Sequence, residues 1–214
     1  MQIKKFDNLV LFINESADFV EQACKPIDGS IKIALSGGST PKPIYGNLAL
    51  REMPFERIEF FQVDERYVDK KDFSSNYAMI IESFKKSNLG SFYYFDTDLP
   101  IDDCLKKYAS ELPQQFDLAI LGMGNDGHVA SVFPYSPAIG INAKVAHTLT
   151  DDFDIKDRLT VTLPMILKSK KLLLLLNNKK AALDELLNGT KTVEEFPAKA
   201  LLNHSDFTIN YCNP

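Results

Sequence analysis

The 214-residue chain is short of three things that would direct its function elsewhere. It has only three cysteines, Cys24, Cys104 and Cys212, scattered and odd in number. With no C-x-x-C pair among them, neither a disulfide framework nor a zinc site is expected, and a reducing, cytoplasmic setting is. It has no excess of positive charge: 24 Lys and Arg stand against 29 Asp and Glu, a net charge of −5. Without a basic tail or stripe, nucleic acid is not expected as a partner. An anion could still be held, but only by a local cluster of cations and backbone N–H groups. Finally, no apolar run is long enough to span a bilayer. The leucine run Leu172–Leu176 suits a buried parallel strand, and MQIKKF lacks the apolar core of a signal peptide, so no membrane association is expected.

What is present is an α/β pattern, with no repeat, low-complexity segment or long linker. Strands are predicted at Ile31–Ser36, Ile58–Val63, Phe92–Asp96, Phe116–Leu121, near Val145–Thr148, at Leu159–Leu163, Leu172–Leu176 and Phe207–Tyr211. Helices are predicted from Pro41 onward, at Ser75–Phe84 with Ser74 or Ser75 as cap, at Asp102–Leu112, and at Lys180–Leu187, ended by Gly189. This alternation predicts a Rossmann-like, mostly parallel sheet with helices on both faces, as one domain over residues 1–214. Such sheets carry their sites at the carboxyl ends of strands.

Three clusters fall at those ends. SGGSTP, Ser36–Pro41, offers Gly37, Gly38, Ser39 and Thr40 before a helix. Inward-turned N–H groups, two hydroxyls and the helix dipole suit a phosphate, although the lysine of a Walker A loop is missing. The plain structural reading is a tight capped turn. Asp64-Glu65-Arg66 follows the second strand, where the alternative is a solvated ion pair. The third cluster is LGMGNDGHVASVFP, Leu121–Pro134. It places Asp126 beside His128, one of only three histidines, in a glycine turn. A histidine next to a carboxylate can serve as an oriented general base; the alternative is a capping Asp with a packed His.

This last segment also spells G-x-G-x-x-G at Gly122, Gly124 and Gly127, with Asp151 and Asp152 at about the distance of a ribose contact. A dinucleotide motif should open a helix at the pyrophosphate. Here Asp126 would put a carboxylate into the turn, and Pro134 and Pro137 would soon break the helix, which argues against a nicotinamide cofactor. Arg158, before LTVTL, and Lys180, opening a helix, are further cations able to meet a phosphate, or ordinary surface charges. His147 and His204 lie in no cluster.

Taken together, LSGGSTP (Leu35–Pro41), VDER (Val63–Arg66) followed by Ser75-Asn76, LGMGNDGHVASVFP (Leu121–Pro134), RLTVTLP (Arg158–Pro164) and KAAL (Lys180–Leu183) resemble, in this order, the 6-phosphogluconolactonase family. The resemblance covers nearly the whole chain, and DGHxASxFP is its specific part. The related glucosamine-6-phosphate deaminases share the glycine loops and the Asp-Gly-His turn, but usually carry an acidic residue just after the histidine. Ala130-Ser131-Val132-Phe133-Pro134 looks like the lactonase form.

The resemblance implies hydrolysis of 6-phospho-D-glucono-1,5-lactone to 6-phosphogluconate in the oxidative pentose phosphate pathway, without metal or cofactor. It implies His128 as the base that activates water and Asp126 as its orienting partner. Arg158 and Lys180 would hold the phosphate, with Gly37, Gly38, Ser39 and Thr40 nearby, and Asp64 and Arg66 would serve as further active-site residues. The only partner implied is the small sugar-phosphate lactone, for a monomer or weak homodimer. A deaminase or isomerase on the same scaffold, and a sugar-phosphate sensor without turnover, are the competing readings. The sequence departs from the family pattern at Asn177, where many members have glycine, in YVDKKDF (Tyr67–Phe73), which lacks a proline and histidine common there, and at the C-terminus TINYCNP.

Overall fold

The computed structural model describes residues 1–87 and 89–213. In chain order the elements are β1 (Gln2–Phe6), α1 (Leu9–Cys24), β2 (Ile31–Leu35), α2 (Lys42–Leu48), β3 (Ile58–Gln62), β4 (Asp64–Arg66), α3 (Asn76–Ser83) and β5 (Ser91–Tyr93). They continue with α4 (Ile101–Glu111), β6 (Leu118–Gly122), β7 (Val145–Leu149), β8 (Asp157–Val161), α5 (Leu163–Ile166), β9 (Lys171–Asn177), α6 (Lys180–Asn188) and β10 (Phe207–Cys212). Seven strands form one sheet in the order β1-β10-β9-β6-β2-β3-β5. Every neighbouring pair in it is parallel.

The leucine run shows why this sheet forms. Every residue of Leu172–Leu176 is buried, and alternate side chains enter opposite cores. Leu173 and Leu175 join Phe12, Val20, Ile44, Tyr45 and Phe84 under α1, α2 and α3. Leu172, Leu174 and Leu176 join Tyr108, Leu183 and Leu186 under α4 and α6. A strand polar on one face could not serve two helical layers.

From β2 the chain moves outward to β3 and β5, then returns across the sheet to β6, β9 and β10. The reversal falls between the adjacent strands β2 and β6, and the loops leaving their carboxyl ends diverge to leave a cleft.

The structure differs from the sequence pattern at three places. Two elements precede Ile31. β1 is an edge strand of largely exposed residues, with no period-two signal to reveal it. α1 opens on exposed Leu9, Val10 and Leu11 and buries the polar Ser16, which blurs its apolar stripe; Asn8 caps it, accepting from the N–H groups of Val10 and Leu11. Secondly, β7 and β8 lie outside the main sheet. They join β4 in a three-stranded antiparallel sheet, in the order β4-β8-β7. Thirdly, Leu163 leaves the strand and starts α5, with Pro164 in its first turn. The cap of α3 is Ser75, whose hydroxyl accepts from the Ala78 N–H at 3.2 Å. Cys24, Cys104 and Cys212 are all buried, and burial pushes the thiols of Cys24 and Cys104 up to about 11. No helix of the described residues is long and apolar enough to cross a membrane.

Candidate active site

A cavity of about 660 Å³ opens at the carboxyl ends of β2, β3, β6 and β9, and the small sheet forms one of its walls. It collects all three sequence clusters.

The loop after β2 brings Ser36 to Pro41 to the cavity. The Tyr45 hydroxyl pins its start by donating to the Ser36 carbonyl at 2.9 Å. Gly37 is demanded by close approach: a Cβ there would lie 1.9 Å from Asn76 Oδ1. Asn76 is the hub of the next wall. Its Oδ1 accepts from Arg66 Nη1 at 2.7 Å and its Nδ2 donates to the Asp64 carbonyl at 2.9 Å. Arg66 also donates to the Ser74 carbonyl at 2.6 Å, so its guanidinium is fixed at the cavity wall.

Beneath this wall lies Glu65, almost wholly buried. Its carboxylate accepts from the N–H groups of Arg66, Asn76 and Tyr77, from the Ser75 hydroxyl and from the Gln62 amide, all at 2.7–2.9 Å. Burial pushes its pKa up, and these hydrogen bonds oppose the rise. Glu65 is thus a brace for the wall rather than a surface ion-pair partner. Asp64 turns toward the third cluster, accepting from the Ser131 hydroxyl at 2.7 Å.

The turn after β6 does not open a helix. Short bridges, Met123 with Val129 and Val129 with Val132, fold it back on itself. The geometry required of a dinucleotide turn is therefore missing. What the turn holds is a contact of 2.6 Å between His128 Nδ1 and Asp126 Oδ1. Gly124 makes room for it, since a Cβ there would lie 2.2 Å from His128 Nδ1 and 2.3 Å from Asp126 Oδ1. Ala130, a lining residue, holds φ at +53°, a left-handed conformation rare outside glycine. For Asp126, burial raises the carboxyl, but the hydrogen bonds and charge of His128 outweigh it and leave the pKa below the usual carboxylate value. Asp126 is thus a carboxylate and the acceptor in the pair. A neutral imidazole that donates from Nδ1 to this carboxylate has its lone pair on Nε2.

Three cations line the cavity: Arg66, Arg158 and Lys179. Arg66 and Arg158 are register partners on β4 and β8. Arg158 is buried; burial and the neighbouring Arg66 lower its pKa, against the pull of Asp64 and Glu65. The structure corrects the lysine. Lys180 lies outside the cavity, its side chain 71% exposed and paired with Asp184 one turn along α6. Lys179 takes the inner position, donating to the Met123 carbonyl, with its pKa lowered by burial and partly restored by Asp126. The helical spacing carried this signal. Residue 179 is four before buried Leu183, whereas 180 is four before the exposed Asp184. Phe153, Phe133 and Ser131 also line the cavity. Phe153 escaped the sequence reading because it is a lone aromatic in an acidic loop.

The comparisons with known proteins bear on the family and the fold. The family model for glucosamine-6-phosphate isomerases/6-phosphogluconolactonase matches residues 10–209. A Dictyostelium discoideum relative, named "Probable 6-phosphogluconolactonase", is 33% identical over 94% of this chain and 93% of its own. The crystal structure of 6-phosphogluconolactonase from Thermotoga maritima superposes with a TM-score of 0.90 at 31% identity, covering 100% of this chain and 99% of that one. A monomeric glucosamine-6-phosphate deaminase gives a TM-score of 0.87 at 21% identity over 100% and 98%, a likeness of fold alone. With the motifs, the parallel-sheet cleft and these matches in place, the chain belongs to the glucosamine-6-phosphate isomerase/6-phosphogluconolactonase family.

Proposed function

We propose that the protein is a 6-phosphogluconolactonase, hydrolysing 6-phospho-D-glucono-1,5-lactone to 6-phosphogluconate in the oxidative pentose phosphate pathway, with His128 as general base. The observation that carries the reading is the 2.6 Å Asp126–His128 pair, set in a cavity with three cations. Nε2 of His128 takes a proton from water as its oxygen attacks the lactone carbonyl. When the tetrahedral intermediate collapses, the same nitrogen returns a proton to the departing ring oxygen. Asp126 holds the imidazole in the required tautomer and stabilises its charged form. Arg158 and Lys179, with Gly37, Gly38, Ser39 and Thr40, bind the phosphate through charge-assisted hydrogen bonds. Arg66 and Asp64 position the sugar end.

The neighbour of His128 favours hydrolysis over deamination. Phe133 packs its ring 4.9 Å from the imidazole, so an apolar wall stands where the related deaminases usually carry an acid. We place the protein in the cytoplasm as a single domain, monomeric or weakly dimeric, in keeping with its three buried, unpaired thiols.

The test is lactone hydrolysis corrected for spontaneous opening. His128→Ala is expected to lose about 10²–10⁴-fold in kcat. Full activity in that variant overturns the mechanism, and ammonia release from glucosamine 6-phosphate by the wild type overturns the assignment.

A further inference from the structure

The hairpin loop between β7 and β8 reaches the cavity through Asp152 and Phe153. Its tip reads Asp151-Asp152-Phe153-Asp154. Phe153 is 43% exposed, yet its ring meets three residues of the site. Its centroid lies 5.9 Å from that of the His128 ring, nearly perpendicular at 86°, and 5.8 Å from that of Phe133. The Arg158 guanidinium sits over the same ring, 5.4 Å from its centre.

The hairpin is ordered by its own polar contacts. The Thr150 N–H donates to the Lys156 carbonyl at 3.1 Å, the Asp152 N–H to the Thr150 hydroxyl at 3.2 Å, and Lys156 pairs with Asp151 at 2.7 Å. Arg158 Nε donates to the Ile155 carbonyl at 2.9 Å, which ties the cation to the loop that carries the ring. None of these bonds requires an aromatic residue at the tip. The ring's contacts are with the His128 imidazole, the Phe133 ring and the Arg158 guanidinium.

We infer that Phe153 is a positioning residue that couples the hydrolytic and anion-binding ends of the site. The aromatic contact holds the plane of the His128 imidazole, and the cation–π contact holds the Arg158 guanidinium. This inference rests on the lactonase reading and adds to it a residue outside the recognised motifs.

The two contacts make different demands, so substitutions separate them. An aliphatic side chain can still pack against His128 but offers no π face to Arg158. Steady-state hydrolysis of the phosphorylated lactone is measured for wild type, Phe153→Ala, Phe153→Leu and Phe153→Tyr. Phe153→Ala is expected to lower kcat and raise KM, each by about fivefold to tenfold. Phe153→Leu is expected to restore kcat while KM stays raised, and Phe153→Tyr to restore both. Because the ring stands at a hairpin tip, the melting temperature should stay within about 2 °C throughout. Unchanged constants in Phe153→Ala, equal losses in the Leu and Ala variants, or losses that follow a lower melting temperature overturn the proposal. If the wild type does not hydrolyse the lactone, the functional reading falls and takes this inference with it. If the wild type is active and Phe153→Ala is indifferent, the inference falls alone.

Discussion

The two sheets of this protein are held together by opposite means. The seven-stranded sheet buries strands such as Leu172–Leu176, and its chemistry begins where the strands stop. The three-stranded sheet buries charge along its length: Asp64 and Glu65 on β4, and Arg158 on β8. Buried apolar chains are stabilised by packing, whatever their precise partners, whereas a buried carboxylate needs a donor for each lone pair it turns from water. Glu65 obtains five donors, four of them from outside its own sheet. The large sheet is thus a scaffold that tolerates exchange of similar residues, and the small one is a wall whose charges specify one arrangement.

Breaking the scaffold should cost stability without touching chemistry. Leu174→Ala is expected to lose about 2–5 kcal/mol of unfolding free energy in denaturant titration, while kcat/KM per folded molecule is unchanged. Breaking the brace should cost both. Glu65→Ala strands several buried donors and should lose about 3 kcal/mol. It should also lower kcat/KM, because Asn76 and Arg66 lose their anchor.

Charges at the cavity should sharpen the contrast further. Arg158→Ala and Lys179→Ala are each expected to raise KM about tenfold to a hundredfold, the worth of a charge-assisted contact of about 1.5–3 kcal/mol. Lys180→Ala should change neither KM nor stability by more than about 0.5 kcal/mol, because its exposed partner Asp184 contributes little. An equal loss in the two lysine variants would return Lys180 to the site.

The smallest effect is one of pH. Asp126 has a folded-state pKa below its unfolded value, so its contribution to stability is present above about pH 3.9 and is lost as pH falls through the lower folded value. Melting temperatures of wild type and Asp126→Asn should therefore differ near neutrality and converge in acid; a gap that does not narrow as pH falls would contradict this.

The legibility of the sequence follows the same division. The alternation of apolar runs with helical segments revealed the main sheet, since burial on two faces needs continuous apolar strands. β1 and α1 were illegible because an edge strand and a helix with exposed leucine and valine at its start carry weak periodicity. Membership of β7 and β8 in a second sheet left no local trace: a strand records its burial, not its neighbours. The Asp126–His128 turn, the loop after β2 and Arg158 were legible because motif chemistry is local. The choice of Lys179 over Lys180 was written in the helical period. Phe153 was not legible, because its aromatic partners His128 and Phe133 lie in a distant turn that meets the hairpin only in the folded chain.

Ala130 adds a consequence for how this site can change. Holding an alanine at φ +53° costs about 1–2 kcal/mol. A glycine would relieve that strain, but would lose about 0.4–1 kcal/mol through the freedom it gives the unfolded chain. The strain is the larger effect, so stability alone favours glycine at this position. Position 130 is therefore a place where drift toward glycine would meet no resistance from the fold.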